Sequence, residues 1–196
     1  MKVMRELAVR AMERLTPVSR ACTYLVEVYG SLLNFGERRK LLKHGSCREV
    51  GKVKRIGWKL SFDRFSENRQ EAVLNFVLTR DSNDVFYTTV FEVDEKVYEA
   101  LLKREMGNQT AVKWKRNEPI LDTSYRPIEM DSQFGKVKMF IIPEEGRQLT
   151  QTTYDAEYVK VVNCGIEESY EGEMKEVNLK ALERAVRESS WRSELT

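Results

Sequence analysis

The chain has 196 residues, 41% of them hydrophobic and 33% charged, with a formal net charge of +2. That length suits one domain with a well-filled core, and those proportions suit a globular protein. A charge so near zero provides no concentrated basic surface for nucleic acid or an anionic membrane, and no apolar run approaches the roughly 20 residues of a membrane-spanning helix.

In chain order, Lys2–Leu15 reads as an amphipathic helix, with Met4, Leu7, Ala8, Ala11 and Leu15 on one stripe. A packing or dimer-contact role suits it, which leaves room for a homodimer. Its charges are spread throughout, so it lacks the apolar stretch of a signal peptide. Thr16-Pro17 ends it. Cys22, Cys47 and Cys164 are odd in number and far apart. A disulfide framework is not expected, and a cytoplasmic location is. His44 is the single histidine. A four-ligand zinc site is therefore not expected, and a Cys–His nucleophile pair would need His44 to meet a cysteine across the fold.

An apolar-leaning strand over Ala21–Tyr29 runs into Gly30-Ser31, and a short helix follows at Phe35–Lys43. This is a strand–tight-turn–helix unit. Gly30 permits a backbone conformation that a side chain would oppose, and N–H groups at such a turn can converge on an anion or a carbonyl oxygen. Glu49–Asp63 is strand-rich, with a bend or bulge at Gly57. Phe65–Gln70 reads as a polar loop. Ala72–Thr79 and Val85–Val93 read as two strands of a hairpin around Arg80–Asp84.

Asp94 is a good N-cap for a helix over Glu95–Glu105. Val97 and Leu101 share a stripe, and four residues further on that stripe reaches Glu105. Partial burial and the negative end of the helix dipole would both raise the pKa of a carboxylate there, as a general base requires. The other reading is that Glu105 turns outward to pair with an Arg or Lys. Asn108–Ser124 has no clear period and holds the basic–aromatic cluster Lys113–Arg116. The cluster reads as a solvated loop or as a lid offering cations to an acidic ligand. Tyr125–Met130 and Gly135–Ile142 read as strands and Pro143–Thr153 as a connecting loop. Asp155–Cys164 and Glu173–Glu188 read as helices. The pattern predicts an α+β fold around a mixed or closed sheet. Residues 1–20 form a helical extension, 21–188 a single domain and 189–196 a polar tail.

YGSLL at Tyr29–Leu33, LLKRE at Leu101–Glu105, a strand opening on Tyr125, and DAEYVKVVNCGIEESY at Asp155–Tyr170 together form a pattern. It resembles the gamma-glutamylcyclotransferase-like superfamily, which includes the gamma-glutamylamine cyclotransferases. The resemblance implies a small mixed β-barrel with flanking helices and a cavity at one side. It implies that Tyr29, Gly30, Ser31 and Leu32 form the substrate-binding turn, that Glu105 is the catalytic acid/base, and that Tyr125 and Tyr158 are hydroxyl contacts to the substrate. The implied reaction cyclises a gamma-glutamyl amino acid, amine or peptide to 5-oxoproline with release of the amine. It uses no metal, cofactor or protein nucleophile. The alternative is a binding module on the same fold that performs no turnover. Apolar Leu32, Arg69-Gln70-Glu71-Ala72 in place of a Gly-rich segment, and the long Glu105–Tyr125 interval all depart from the pattern.

Overall fold

The computed structural model describes residues 23–66, 71–121, 124–147 and 154–193. The helix expected at Lys2–Leu15 lies outside the described residues, as does Cys22. Strand β1 (Thr23–Val28) leads through a 3-10 turn (Gly30–Leu33) into α1 (Phe35–Leu42). Then come β2 (Cys47–Ile56), β3 (Trp58–Ser66), β4 (Glu71–Leu78), β5 (Val85–Asp94), α2 (Glu95–Met106) and α3 (Asn108–Lys115). They are followed by β6 (Arg126–Ser132), β7 (Gly135–Ile141), a second 3-10 turn (Glu144–Gly146), α4 (Ala156–Ser169) and α5 (Gly172–Ser193).

Five strands form one mixed sheet in the order β2-β5-β1-β7-β6, and β3 and β4 form a second sheet of two. The α+β class expected from the sequence is therefore present. Central β1 pairs antiparallel with β5 and parallel with β7. Its Val26 and Val28 are buried, as a central strand covered by helices requires.

The hairpin expected around Arg80–Asp84 is not formed. β4 pairs with β3, while β5 pairs with β1 and β2. The pairing runs Ile56↔Val85 and then Trp58↔Leu78, so residues 79–84 oppose Gly57 alone. A long two-stranded ribbon thus folds over at this corner. Gly57 makes the fold possible with φ +77, and its carbonyl accepts from the N–H groups of Thr79 and Arg80 at 2.7 and 3.1 Å. The folded-over part is held to the main sheet by aromatic packing. The ring of buried Phe76 lies 5.2 Å from that of Tyr29, after β1, and 5.7 Å from that of Phe86 in β5, while Trp58 of its own sheet stacks on it at 5.1 Å. Each such pair contributes about 0.5–1.5 kcal/mol beyond its buried area.

The sheet does not close into the barrel that the resemblance implies. Its edges, β2 and β6, are joined by side chains instead of a backbone ladder. Phe134, in the β6–β7 turn, packs so tightly on Gly51 that a Cβ there would lie 2.5 Å from its Cζ. Gln133 Nε2 donates to the Lys52 carbonyl at 3.0 Å, and Arg55 Nη1 to the Asp131 carbonyl at 2.8 Å. A register shift between Glu49 and Gly51 accompanies this wedge.

Three helical boundaries also differ from the sequence reading. Residues 108–115 form α3, which lacks a visible period because it is short and largely exposed. α4 runs on past Cys164 to Ser169, and α5 runs past Glu188 to Ser193. In α4 the extension carries Ile166, which continues the buried stripe four residues past Val162, while most of its other residues are polar.

Candidate functional site

The turn after β1 is shaped by three separate constraints. Gly30 has φ +62, in the left-handed region where glycine is least strained. Asn34 caps α1 by accepting the Glu37 N–H at 3.1 Å. The turn's carbonyls are held by Arg38, which donates to Leu32 O at 3.2 Å and also to Leu33 O, and by Ser169, which donates to Leu33 O at 2.9 Å. α4 presses on the turn through Gly165, where a Cβ would sit 2.5 Å from the Asn34 nitrogen and 2.8 Å from the Leu33 carbonyl carbon. Glycine at 165 is thus a packing requirement, and it brings Tyr158 on the same helix towards the turn.

α2 supplies the acid. Asp94 caps it by accepting the Val97 N–H at 2.9 Å, and Gly107 ends it with φ +80. Val97 and Leu101 are buried, and Glu105 continues that face with its side chain 15% exposed. The helical stripe therefore puts Glu105 at the boundary between core and solvent.

These elements meet in one cavity. It is lined by Tyr29, Ser31, Leu32, Glu105, Tyr125 and Tyr158, together with Glu27, Val28, Leu74, Arg104 and Phe140. Six of the seven residues named from the sequence thus line it. The seventh, Gly30, belongs to the turn itself and approaches the Tyr158 hydroxyl, which a Cβ would meet at 3.4 Å. The cavity volume is about 30 Å³, room for about two waters.

The tyrosines are tied to the frame. The Tyr29 hydroxyl donates to Phe140 O at 2.7 Å, and the Tyr125 hydroxyl donates to Leu74 O. Burial holds the Tyr29 phenol well above its ordinary pKa, reinforced by Tyr125, Glu105, Tyr158 and Asp63 nearby. Burial and the Glu105 charge likewise raise the Tyr158 phenol, against the opposing pull of Arg104 and of hydrogen bonds to Ser31 and Leu74. These hydroxyls are neutral hydrogen-bonding groups at neutral pH.

Glu105 pairs with Arg104, whose Nη1 meets its Oε1. The two alternatives left open by the sequence are therefore combined, since Glu105 both lines the cavity and pairs with an arginine. Arg104 Nη2 also donates to Ser31 Oγ at 3.1 Å and lies 3.5 Å from Glu37 Oε2. Burial lowers the guanidinium pKa, but pairing with Glu105 more than offsets this and leaves it raised. Arg104 was missed because consecutive helical residues point about 100° apart, so a search along the apolar stripe passes over it. The basic cluster is not part of this lining. Lys115 pairs with Glu99, Arg116 lies 3.8 Å from Glu118, and Trp114 packs on the core.

No family model matches the sequence, and a search of curated proteins finds no match. Solved structures do match. An uncharacterized human protein, loc79017, aligns with a TM-score of 0.58 at 16% identity, over 81% of this chain and 87% of its own. A gamma-glutamyl cyclotransferase aligns with a TM-score of 0.56 at 15% identity, over 83% of this chain and 87% of its own. YkqA from Bacillus subtilis aligns with a TM-score of 0.55 at 14% identity, over 91% of this chain and 57% of its own. At such identities the likeness is one of fold. With its mixed sheet, its turn after the central strand and its flanking helices, this chain has the gamma-glutamylcyclotransferase-like fold.

Proposed function

We propose that the protein is a gamma-glutamyl cyclotransferase. It cyclises the gamma-glutamyl unit of an amino acid, amine or peptide to 5-oxoproline and releases the amine. The observation that carries this reading is the meeting of the Glu105 carboxylate with the Tyr29–Leu32 turn across one cavity. The two lie about 75 residues apart in the chain, and cyclisation needs a base opposite a cradle of N–H donors.

In the proposed reaction Glu105 takes a proton from the substrate's α-ammonium. The freed amine attacks the γ-carbonyl carbon, and the carbonyl oxygen becomes an oxyanion facing the turn. The intermediate collapses as the original C–N bond breaks, and Glu105 returns the proton to the departing nitrogen. The new ring nitrogen sheds a second proton, which balances the ammonium form of the released amine. Holding the substrate folded in attack geometry supplies much of the rate. The Tyr29 hydroxyl, engaged with Phe140, serves as framework.

The test is to incubate the protein with a panel of gamma-glutamyl amino acids, amines and peptides and to measure 5-oxoproline. Formation is expected. Its absence across the panel, from protein with an intact fold, would overturn the reading. Glu105→Gln should keep the fold and reduce turnover by roughly 10²–10⁴-fold, the usual contribution of general acid–base catalysis. Full turnover in that variant would remove Glu105 from the mechanism. The narrow cavity and the Arg104–Glu105 pair favour, as a second reading, a binding module on the same fold. That module would bind gamma-glutamyl compounds saturably and form no 5-oxoproline.

A further inference from the structure

We infer that Arg104 recognises the α-carboxylate of the ligand, and that an α-amino acid unit enters by replacing the internal Arg104–Glu105 pair with two ion pairs of its own. This inference rests on the gamma-glutamyl reading of the site. The ligand's α-carboxylate goes to Arg104 and its α-ammonium to Glu105.

The first argument is one of charge. Arg104 is the single cationic residue in the described cavity lining, and Glu27 and Glu105 are its two acids. Glu27 is occupied by Arg55, which contacts both of its carboxylate oxygens. What remains facing the cavity is one carboxylate and one guanidinium from adjacent residues. A zwitterionic α-amino acid presents the complementary ammonium and carboxylate on one carbon. An ion pair within the protein is thus exchanged for two ion pairs with the ligand, and no charge is left without a partner.

The second argument is one of space. A cavity of about 30 Å³ holds about two waters, well short of a gamma-glutamyl unit. The Arg104 side chain is the more exposed of the pair, at 29% against 15% for Glu105. It can move towards solvent while Glu105 stays with the core. The guanidinium already has partners other than Glu105. Nη2 bonds to Ser31 Oγ at 3.1 Å and lies 3.5 Å from Glu37 Oε2, so the guanidinium keeps anchors at the rim after it releases Glu105.

The third argument concerns the division of labour. The other arginine at the turn, Arg38, is committed to the carbonyls of Leu32 and Leu33. Arg104 is therefore the guanidinium available to a carboxylate, with the fork geometry that suits one. Once the carboxylate is held there, the N–H groups of the turn are left for the oxyanion.

The test uses two ligands that differ at one group. These are the γ-butylamide of glutamate, which has a single carboxylate, and the same compound with its α-carboxylate converted to a carboxamide. Binding of each to wild type, Arg104→Gln and Arg104→Lys is measured by calorimetry, and 5-oxoproline formation is followed in parallel. Wild type should bind the carboxylate form roughly tenfold to a hundredfold more tightly. Arg104→Gln should bring that ratio close to one by weakening the carboxylate form alone, and Arg104→Lys should restore part of it. An unchanged ratio in Arg104→Gln, or equal weakening of both ligands, would show a structural role and overturn the inference, as would failure of wild type to bind either compound. If wild type shows the ratio but the whole gamma-glutamyl panel yields no 5-oxoproline, cyclotransfer is overturned and the carboxylate assignment stands.

Discussion

Glu27 and Glu105 both line the cavity and both hold an arginine, yet the two pairs are built differently. Glu27 is 1% exposed on the central strand. Arg55 contacts both of its oxygens, the Thr88 hydroxyl donates to one of them, and Arg55 reaches on to the Asp131 carbonyl. That network bridges two edges of the sheet and satisfies its members. The Glu105 pair joins sequence neighbours at the end of a helix, with both side chains partly exposed. Similar charges therefore serve opposite ends. Burial and several simultaneous hydrogen bonds make the first pair a fixture of the fold, and adjacency at a rim leaves the second open to exchange with a ligand. Asp63 and Arg147 form a third case. Arg147 Nε bonds to one Asp63 oxygen at 2.6 Å, while the other oxygen is buried with no partner among the described residues.

The strongest way to break the comparison is to remove one member of each pair in turn. Glu27→Ala leaves Arg55 partly buried without its counter-charge and is expected to cost about 3–5 kcal/mol. Arg104→Gln should cost no more than about 1 kcal/mol, because its pair is partly solvated. Denaturant midpoints at constant m-value measure both, and equal losses would abolish the distinction drawn between them. Next in size is Gly165→Ala. Alanine favours the helix by about 1 kcal/mol, but its methyl would meet backbone atoms of Asn34 and Leu33 that cannot easily give way. Overpacking wins, with a net loss of about 1–2 kcal/mol and weakened ligand binding. A more stable variant would show that α4 can lift from the turn freely.

The turn itself offers a finer comparison. Gly30→Val forces a β-branched residue into φ +62 at a cost of about 1–2 kcal/mol and displaces the turn's backbone, whereas Ser31→Ala leaves that backbone in place and removes the hydroxyl's hydrogen bonds to Arg104 and Tyr158, worth about 1 kcal/mol each. Titration with a gamma-glutamyl compound should rank Gly30→Val as the more damaging change, and the reverse order would make the serine hydroxyl the principal contact. The smallest effect concerns an exposed carboxylate that is neither pair. The N–H groups of Ser46 and Val97, at 2.6 and 2.9 Å, hold the Asp94 pKa below its ordinary value. A pKa depressed in the folded state stabilises above the unfolded value of about 4, and that contribution is lost as pH falls through the folded value. Asp94→Asn should therefore flatten the acid limb of the stability curve below about pH 4. An unchanged limb would exclude Asp94 as a source of acid sensitivity.

Much of this molecule was legible in its sequence wherever the determining interactions are local. Tyr29-Gly30-Ser31 marked a turn because glycine tolerates positive φ. Asp94 marked a helix start because its side chain accepts the Val97 N–H, and the four-residue step from Val97 through Leu101 to Glu105 put the acid on the buried face. Tertiary structure decided matters that depend on distant partners. Residues 79–84 look like a hairpin turn, but they form a corner because Gly57 lets the opposing strand fold over. The two sheet edges meet through side chains, with Phe134 packed on Gly51, and form no backbone ladder. Arg104 looks like an ordinary cation at a helix end, and its position beside Ser31 arises only when α2 packs near the turn. Backbone preferences and helical periodicity act within a few residues, so one sequence displays them. Edge closure, strand partnering and the choice of counter-ion depend on what the rest of the chain brings into contact.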